Sequence, residues 1–213
     1  MSAHSPALQP QWISPDRTAL LVVDAQVDFA LPDGAMGRKG TDMTAPLAAL
    51  ARIETLVAAA RQAGTAVVWA RYVNYPGSET PVAAEARARR GDTGPPDLCV
   101  EGTRGADFAG PRPQADETII TKSLFSAFAG TGLEALLKSR GLDTLVLCGL
   151  TTECCVQSTA WQAFERAFHV ILATDAAAAY APDLHRGTLK ALEVNGAILA
   201  DSATIAAAWK KSP

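Results

Sequence analysis

Short apolar runs alternate with amphipathic segments along this chain. The first run, residues 18–24 (TALLVVD), is too short for a core helix. Its leucines and valines are typical of a strand that is buried on both faces. The segment 45–64 that follows carries apolar residues near helical spacing and ends at Gly64, which predicts a helix with a glycine C-terminal cap. Residues 65–73 (TAVVWARYV) predict a second buried strand.

The same alternation continues to the C-terminus. Four more strands are predicted at residues 117–122, 143–149, 169–175 and 197–201, and helices at residues 132–141, 155–167, 183–196 and the end of the chain. Strands that alternate with helices form a parallel sheet covered on both faces. We therefore expect an α/β protein, a three-layer α/β/α sandwich around a Rossmann-like six-stranded parallel sheet.

Two segments lie outside this alternation. Residues 1–17 are polar and contain proline, so we expect an N-terminal arm on the surface or on another subunit, followed by one domain over residues 18–213. Residues 74–115 are rich in proline, glycine and charge, and only 81–90 look helical. Loops this long usually carry function, so we expect this one to contribute to function rather than to the core.

Composition narrows the class of protein. The chain has 213 residues, 48% of them hydrophobic, and a formal net charge of −3, which suits one domain with a substantial core. The sequence has no block of lysine and arginine, so it does not indicate a surface that binds nucleic acid or an anionic membrane. No apolar run is long enough to span a bilayer, and the first residues lack the pattern of a signal peptide. We expect a cytoplasmic protein whose partner is a small-molecule substrate.

Four cysteines are unevenly spaced without a C-x-x-C motif, and we expect them to be reduced thiols. Cys99 and Cys148 are interpreted as small core residues. The three histidines are scattered along the sequence, so we expect neither a metal ion nor another cofactor.

Residues that could be catalytic lie at or after the ends of predicted strands. In an open parallel sheet, ligands bind beyond the carboxyl ends of the strands. Asp24 closes the first predicted strand, Lys122 closes the third, and the pair Cys154–Cys155 follows the fourth, where a helix begins. Each residue alone has an ordinary structural explanation: a turn cap, a solvated lysine and a core cysteine.

Together these residue types indicate acyl transfer. A helix N-terminus and a nearby ammonium lower the pKa of a thiol, which gives a nucleophilic thiolate. A carboxylate beside it can take the thiol proton and pass it to a leaving group. Peptide N–H groups at the same helix start can hold an oxyanion.

Three motifs resemble those of the isochorismatase-like cysteine hydrolases, from about Thr18 to the C-terminus. DAQVDF (24–29) is similar to the family's D-x-Q-x-D-F, TKSLFSAFAGTGL (121–133) to its lysine segment, and GLTTECCVQSTA (149–160) to its G-x-x-T-x-x-C-V-x-x-T-A. This resemblance implies the isochorismatase-like hydrolase fold and a catalytic set of Asp24, Lys122 and Cys155.

The resemblance also distinguishes the two adjacent cysteines. The family cysteine precedes a valine and follows a threonine by three positions, which selects Cys155 and leaves Cys154 at a variable position. It further implies a cis peptide between Leu150 and Thr151, which would turn the Thr151 N–H toward the same oxyanion as the Cys155 N–H. Similar nicotinamidases carry a D-x-H metal motif after the second strand, but residues 69–75 (WARYVNY) contain no histidine. We therefore expect a metal-independent enzyme whose substrate is not nicotinamide.

From the resemblance we predict a cysteine hydrolase that cleaves a C–N bond of a small linear amide, ureide or carbamoyl compound through a thioester on Cys155. Asp24 would protonate the departing nitrogen and activate water, and Lys122 would keep the thiolate ionised. Two alternatives stay open: an isochorismatase-type vinyl ether hydrolase, and a non-catalytic or redox-sensing relative in which the cysteine pair is oxidised. Similar hydrolases are commonly dimers or tetramers, so we expect a homodimer or homotetramer.

Four residues are candidates for substrate binding. Gln26 would hydrogen-bond a substrate amide or only fix the first loop. Phe29 and Phe125 would form apolar walls or belong to the core. Arg71, with Arg104 as an alternative, would receive a substrate carboxylate or be an ordinary solvated or ion-paired arginine.

Overall fold

The computed structural model describes residues 6–211 and contains a six-stranded sheet in which every neighbouring pair is parallel. The strands are β1 (Thr18–Val23), β2 (Ala66–Tyr72), β3 (Thr118–Lys122), β4 (Thr144–Leu150), β5 (His169–Ala178) and β6 (Ile198–Ala200). Their spatial order is β3-β2-β1-β4-β5-β6. The chain order reverses between β1 and β4, which creates a crevice at their carboxyl ends.

Helices cover both faces of this sheet. They are α1 (Val27–Ala30), α2 (Ala35–Arg38), α3 (Thr44–Ala63), α4 (Pro81–Ala88), α5 (Leu133–Ser139), α6 (Gln157–Glu165), α7 (Pro182–Val194) and α8 (Ser202–Lys211). Helices α1, α3 and α8 contribute to one hydrophobic cluster, and α5, α6 and α7 contribute to the other. The predicted three-layer α/β/α sandwich is confirmed.

Strand β1 shows why the central strands are apolar throughout. Leu20 and Val22 pack into one hydrophobic cluster, whereas Leu21 and Val23 pack into the other. Successive side chains of a strand point to opposite faces, so a strand between two helical layers has no polar face. The continuous apolar run therefore predicted this strand correctly.

Three local features differ from the sequence prediction. Helices α1 and α2 have four residues each, which is too short for a helical period to show in the sequence. Strand β5 continues to Ala178, three residues beyond its predicted end, and these last alanines are buried against β4. The predicted helix at 155–167 begins instead as one turn of π-helix, Thr152–Val156, before α6.

Residues 6–17 of the predicted arm and the long loop 74–115 pack on their own chain, and residues 1–5 of that arm lie outside the described residues. Ile13 in the arm is fully buried, and its carbonyl accepts a hydrogen bond from Trp209 Nε1 at 3.1 Å. In the long loop, Phe108 is buried and its ring meets Trp69 edge to face at 5.1 Å between centroids. The expectation that residues 74–115 contribute function rather than core is therefore wrong in part, because this loop completes one hydrophobic cluster.

Within residues 6–211, no helix combines the length and the apolar character that crossing a membrane requires.

Candidate active site

The structure brings Asp24 and Lys122 together at the carboxyl edge of the sheet. Asp24 follows β1, and Lys122 ends β3, with β2 between them. Lys122 Nζ lies 2.6 Å from Asp24 Oδ2, and both side chains are fully buried. The backbone N–H of Asp24 donates to the Ala70 carbonyl of β2 at 2.9 Å, which fixes the residue beside the neighbouring strand.

Burial and mutual attraction control the charges of this pair. Burial raises the pKa of Asp24, and the ammonium of Lys122 and the Cys155 thiol offset only part of that effect. Burial lowers the pKa of Lys122, but Asp24 and Cys155 outweigh it and leave the pKa raised. Among the described residues, Asp24 Oδ1 has no hydrogen-bond partner of good geometry, although it is buried. The pair is therefore a permanent cation beside a carboxylate that can accept a proton.

Lys122 has little freedom to serve another role. Its ammonium also donates to the Leu124 carbonyl at 3.1 Å and lies 5.2 Å from the centre of the Tyr72 ring. These contacts hold the cation over Asp24 and give two of its three N–H groups an acceptor.

The loop after β4 carries the cysteine pair. Gly149 has φ +125°, and a Cβ at this position would overlap the Val23 carbonyl oxygen, so only glycine fits here. The peptide between Leu150 and Thr151 is cis, which confirms the expectation from the family motif. The Thr151 carbonyl then accepts hydrogen bonds from Cys154 N at 3.1 Å and Val156 N at 3.2 Å.

Cys155 lies in the π-helical turn that follows this cis peptide, and only 6% of the residue is exposed. Thr159, one turn later, donates to the Cys155 carbonyl at 2.7 Å and accepts from Ala127 N at 3.0 Å. Thr159 therefore connects the turn that carries Cys155 to Ala127, in the segment that follows Lys122.

The protonation state of Cys155 differs from the expectation. The neighbouring Cys154 thiol, burial and the Asp24 charge all raise the pKa of Cys155, and Lys122 opposes them without prevailing. The hydrogen bond to Cys155 lowers the pKa of the half-buried Cys154. The prediction of a lowered Cys155 pKa is therefore wrong, because the Cys154 thiol, burial and the Asp24 charge together outweigh the effect of the ammonium. Cys155 is a neutral thiol at rest, beside a carboxylate that can receive its proton.

Gln26 binds only backbone groups. Its Nε2 donates to the carbonyls of Tyr72 at 2.8 Å and Ala106 at 2.9 Å, and its Oε1 accepts from Tyr72 N at 2.8 Å. Of the two predicted alternatives, this geometry favours the one in which Gln26 fixes the first loop.

The two candidate phenylalanines occupy different surroundings. Phe29 is half-buried, and its ring packs against Tyr72 at 6.2 Å between centroids. Phe125 is 61% exposed and follows the Leu124 carbonyl that Lys122 contacts. Its exposure excludes the alternative that Phe125 is a core residue.

Neither candidate arginine reaches the catalytic face. Tyr72 is paired with Lys122 in the sheet and lies under its ammonium, so Arg71, the preceding residue of β2, points to the opposite face. Arg71 Nε donates to Thr121 Oγ1 at 3.0 Å and, with Arg104, lines a separate cavity of about 290 Å³. We predicted that Arg71 binds a substrate carboxylate at this site. The strand register argues against that prediction, because it directs Arg71 away from Lys122.

The sequence did not single out Tyr180, Glu153 or Asp28. Tyr180 follows β5 and donates its hydroxyl to the Phe29 carbonyl at 2.9 Å; burial, with the nearby charges of Glu153 and Cys155, raises its pKa. The position of Tyr180 just after a strand was the feature of the sequence that could have made it a candidate site residue. Asp28 is the second aspartate of DAQVDF, and its carboxylate accepts from Ala35 N at 2.8 Å and from Cys99 N at 2.7 Å.

Within the part of the chain that the structure describes, no group of three or more histidine, cysteine, aspartate or glutamate side chains is arranged to hold a metal ion.

Comparisons with known proteins identify the family and the fold. Residues 18–204 match the family described as the isochorismatase domain. The ureidoacrylate amidohydrolase RutB of Methylobacterium radiotolerans is 33% identical over 199 residues, which cover 87% of this chain and 76% of that protein. The N-carbamoylsarcosine amidase of Thermoplasma acidophilum is 26% identical with a TM-score of 0.68, over 87% of this chain and 96% of that one. A cysteine hydrolase of Pseudomonas syringae, 24% identical, shares the fold with a TM-score of 0.84 over 100% of both chains.

Proposed function

Because this chain belongs to the isochorismatase family of hydrolases, we propose that it cleaves a C–N bond of a small linear amide, ureide or carbamoyl compound, with Cys155 as the nucleophile. One observation carries the proposal: the buried ion pair of Asp24 and Lys122, which acts on the Cys155 thiol. A carboxylate beside a neutral thiol is the arrangement that general-base activation of a nucleophile requires.

The first half of the reaction forms a thioester. Asp24 takes the thiol proton as Cys155 Sγ bonds to the substrate carbonyl carbon, and the carbonyl oxygen becomes an oxyanion. The N–H groups of Thr151 and Cys155 hold this oxyanion. In support, the Thr151 N–H has no protein acceptor among the described residues. Asp24 then gives its proton to the substrate nitrogen, the C–N bond breaks, and ammonia or an amine departs.

The second half releases the acyl group. Asp24 takes a proton from a water molecule, whose oxygen bonds to the thioester carbonyl carbon. The C–S bond then breaks, and the proton returns to Cys155. Lys122 stays protonated throughout, and its charge at 2.6 Å favours the anionic form of Asp24 between transfers.

The relatives support the bond type. One is named for hydrolysis of ureidoacrylate and another for N-carbamoylsarcosine, and both compounds contain a carbamoyl nitrogen. The vinyl ether alternative needs cationic groups for a cyclic dicarboxylate, and Arg71 and Arg104 do not lie on the catalytic face. We therefore favour C–N hydrolysis over that alternative.

Ammonia release across a panel of amides, ureides and carbamoyl amino acids tests this function. We expect turnover of at least one member by the wild type, and none by Cys155→Ala. Turnover by Cys155→Ala, or release of ammonia from no member of the panel, would contradict the proposal.

We further propose that the chain assembles as a homodimer or homotetramer. Leu124 and Phe125, two and three positions after Lys122, are 41% and 61% exposed, and a second copy would cover these apolar side chains beside the site. Light scattering that gives a mass near the 22.2 kDa of one chain, at micromolar protein, would exclude this assembly.

A further inference from the structure

The charges at the catalytic centre cancel. Two ionised side chains act on the Cys155 thiol, Asp24 and Lys122, and they lie 2.6 Å apart. A substrate at Cys155 Sγ therefore meets an ion pair of no net charge. The ammonium also donates to the Leu124 carbonyl, so two of its three N–H groups already have acceptors within the chain.

The arginines that would recognise a substrate carboxylate are engaged elsewhere. Arg104 is 61% exposed and lies 2.7 Å from Asp33. Arg71 points to the other face of the sheet, where its cavity also contains Glu101 and Asp107. Neither arginine offers a guanidinium to a ligand bound at Cys155.

Glu153 adds a negative charge to the nucleophile turn itself. It lies two residues before Cys155, and its charge acts on Cys154, Tyr180 and His185. Its Oε2 atom is buried and has no hydrogen-bond partner among the described residues. An unpaired buried carboxylate oxygen is costly, and a ligand N–H would relieve that cost.

We propose that this site selects an uncharged amide or ureide, and that Glu153 sets the preference by accepting a hydrogen bond from a substrate N–H and repelling a substrate carboxylate. Selectivity by repulsion of the wrong ligand is as effective as attraction of the right one. The proposal rests on the proposed function for its reaction and concerns only which substrates reach Cys155. It would separate this chain from the ureidoacrylate relative, whose named substrate is a carboxylate.

Two alkylating reagents of nearly equal shape test the charge preference without any turnover. Iodoacetamide is neutral and resembles a small primary amide, whereas iodoacetate carries a carboxylate. The rate constants for alkylation of Cys155 are obtained from a time course of labelling followed by mass spectrometry. Fragmentation of the labelled peptide distinguishes Cys155 from Cys154. We expect the ratio of the iodoacetamide rate to the iodoacetate rate to exceed that of free cysteine by about tenfold, as a nearby like charge requires.

Glu153→Gln should bring the ratio to within about threefold of the free-cysteine value, because the glutamine keeps the shape and loses the charge. Glu85→Gln is the matched control, since Glu85 is an exposed residue of α4 that pairs with Arg89, and the ratio should not change. In the wild type, raising the salt from 10 mM to 500 mM should also shrink the ratio, and this measurement needs no variant.

A wild-type ratio no greater than that of free cysteine, or an unchanged ratio in a folded Glu153→Gln, would overturn the proposal. Because alkylation needs no hydrolysis, this outcome is separate from failure of the proposed function, which the ammonia panel tests. Where turnover is found, a carbamoyl amino acid and its N-methylamide form a second matched pair. We expect about tenfold greater kcat/KM for the amide, and a smaller difference in Glu153→Gln.

Discussion

Nδ1 of His185, on helix α7, lies 2.9 Å from the hydroxyl oxygen of Thr152, which is fully buried three residues before Cys155. A histidine ring nitrogen donates or accepts according to the tautomer, so this contact is a hydrogen bond between the two side chains in either form of the ring. Helix α7 thereby holds the nucleophile turn from outside the reaction centre.

Thr152→Val should lower kcat by about tenfold and change KM less than about twofold. The substitution removes a hydrogen bond at constant shape and leaves His185 Nδ1 without its Thr152 partner, a loss on the order of 1 kcal/mol. Steady-state kinetics on the best substrate of the ammonia panel measure both constants. Thr152→Ser keeps the hydroxyl and should retain most of the activity. A fully active valine variant would show that the contact does not position Cys155.

His185 should make stability depend on pH. Burial lowers its pKa from the ordinary 6.5, and Glu153 and Arg186 act on it in opposite directions. The unfolded chain then binds a proton more readily than the folded one. The contribution of His185 is therefore complete above pH 6.5 and is lost as the pH falls through the lower folded pKa.

Urea unfolding between pH 7.5 and pH 5 measures this effect. We expect the free energy of unfolding of the wild type to fall more steeply with acid than that of His185→Asn, which keeps an acceptor near Nδ1 and does not titrate. Parallel pH profiles of the two proteins would contradict the lowered pKa of His185.

The sequence predicted the strands because each is a local apolar run, and it made Asp24 and Lys122 candidates because each stands at the end of such a run. The choice of Cys155 rested instead on the resemblance of residues 149–160 to the family motif. Asp24 and Lys122 are separated by 98 positions, yet the rule that parallel strands end at one edge brings them together. The helical cap at Gly64, where φ is +71°, was likewise visible in the sequence alone.

Features that depend on contacts between separate segments were not visible. The direction of Arg71 depends on the register of β2 against β3, which alternation along one strand does not give. The contact of Thr152 with His185 requires α7 to pack on the nucleophile turn. The pKa of Cys155 is raised by the Cys154 thiol, by burial and by Asp24, so the nearby ammonium and the helix start, considered alone, predicted the wrong direction.

Removing either member of the buried ion pair should destabilise the protein. Asp24→Asn leaves the Lys122 ammonium without a counter-charge, and Lys122→Met leaves the carboxylate alone, each at a cost of about 3 kcal/mol or more. The double variant Asp24→Asn, Lys122→Met should lose less than the sum of the two single losses. Urea unfolding of the four proteins completes the cycle, and additive losses would mean that the two charges are not coupled.

Activity should survive exhaustive dialysis against EDTA. Residues 69–75, where similar nicotinamidases carry a metal motif, contain no histidine, and the proposed reaction moves its protons through Asp24. Ammonia release before and after chelation is the measurement. Loss of activity on chelation, with recovery on addition of zinc, would overturn the metal-independent mechanism.

The two adjacent cysteines should respond differently to the same substitution. Cys155→Ala should lower kcat by at least about a thousandfold, because it removes the atom that bonds to the substrate. Cys154→Ala should keep activity within about tenfold, and it should also lower the pKa of Cys155, since the Cys154 thiol is the largest of the effects that raise it. The pH dependence of iodoacetamide labelling at Cys155 measures that shift. If Cys154→Ala were the inactive variant and Cys155→Ala remained active, the assignment of the nucleophile would be wrong by one residue.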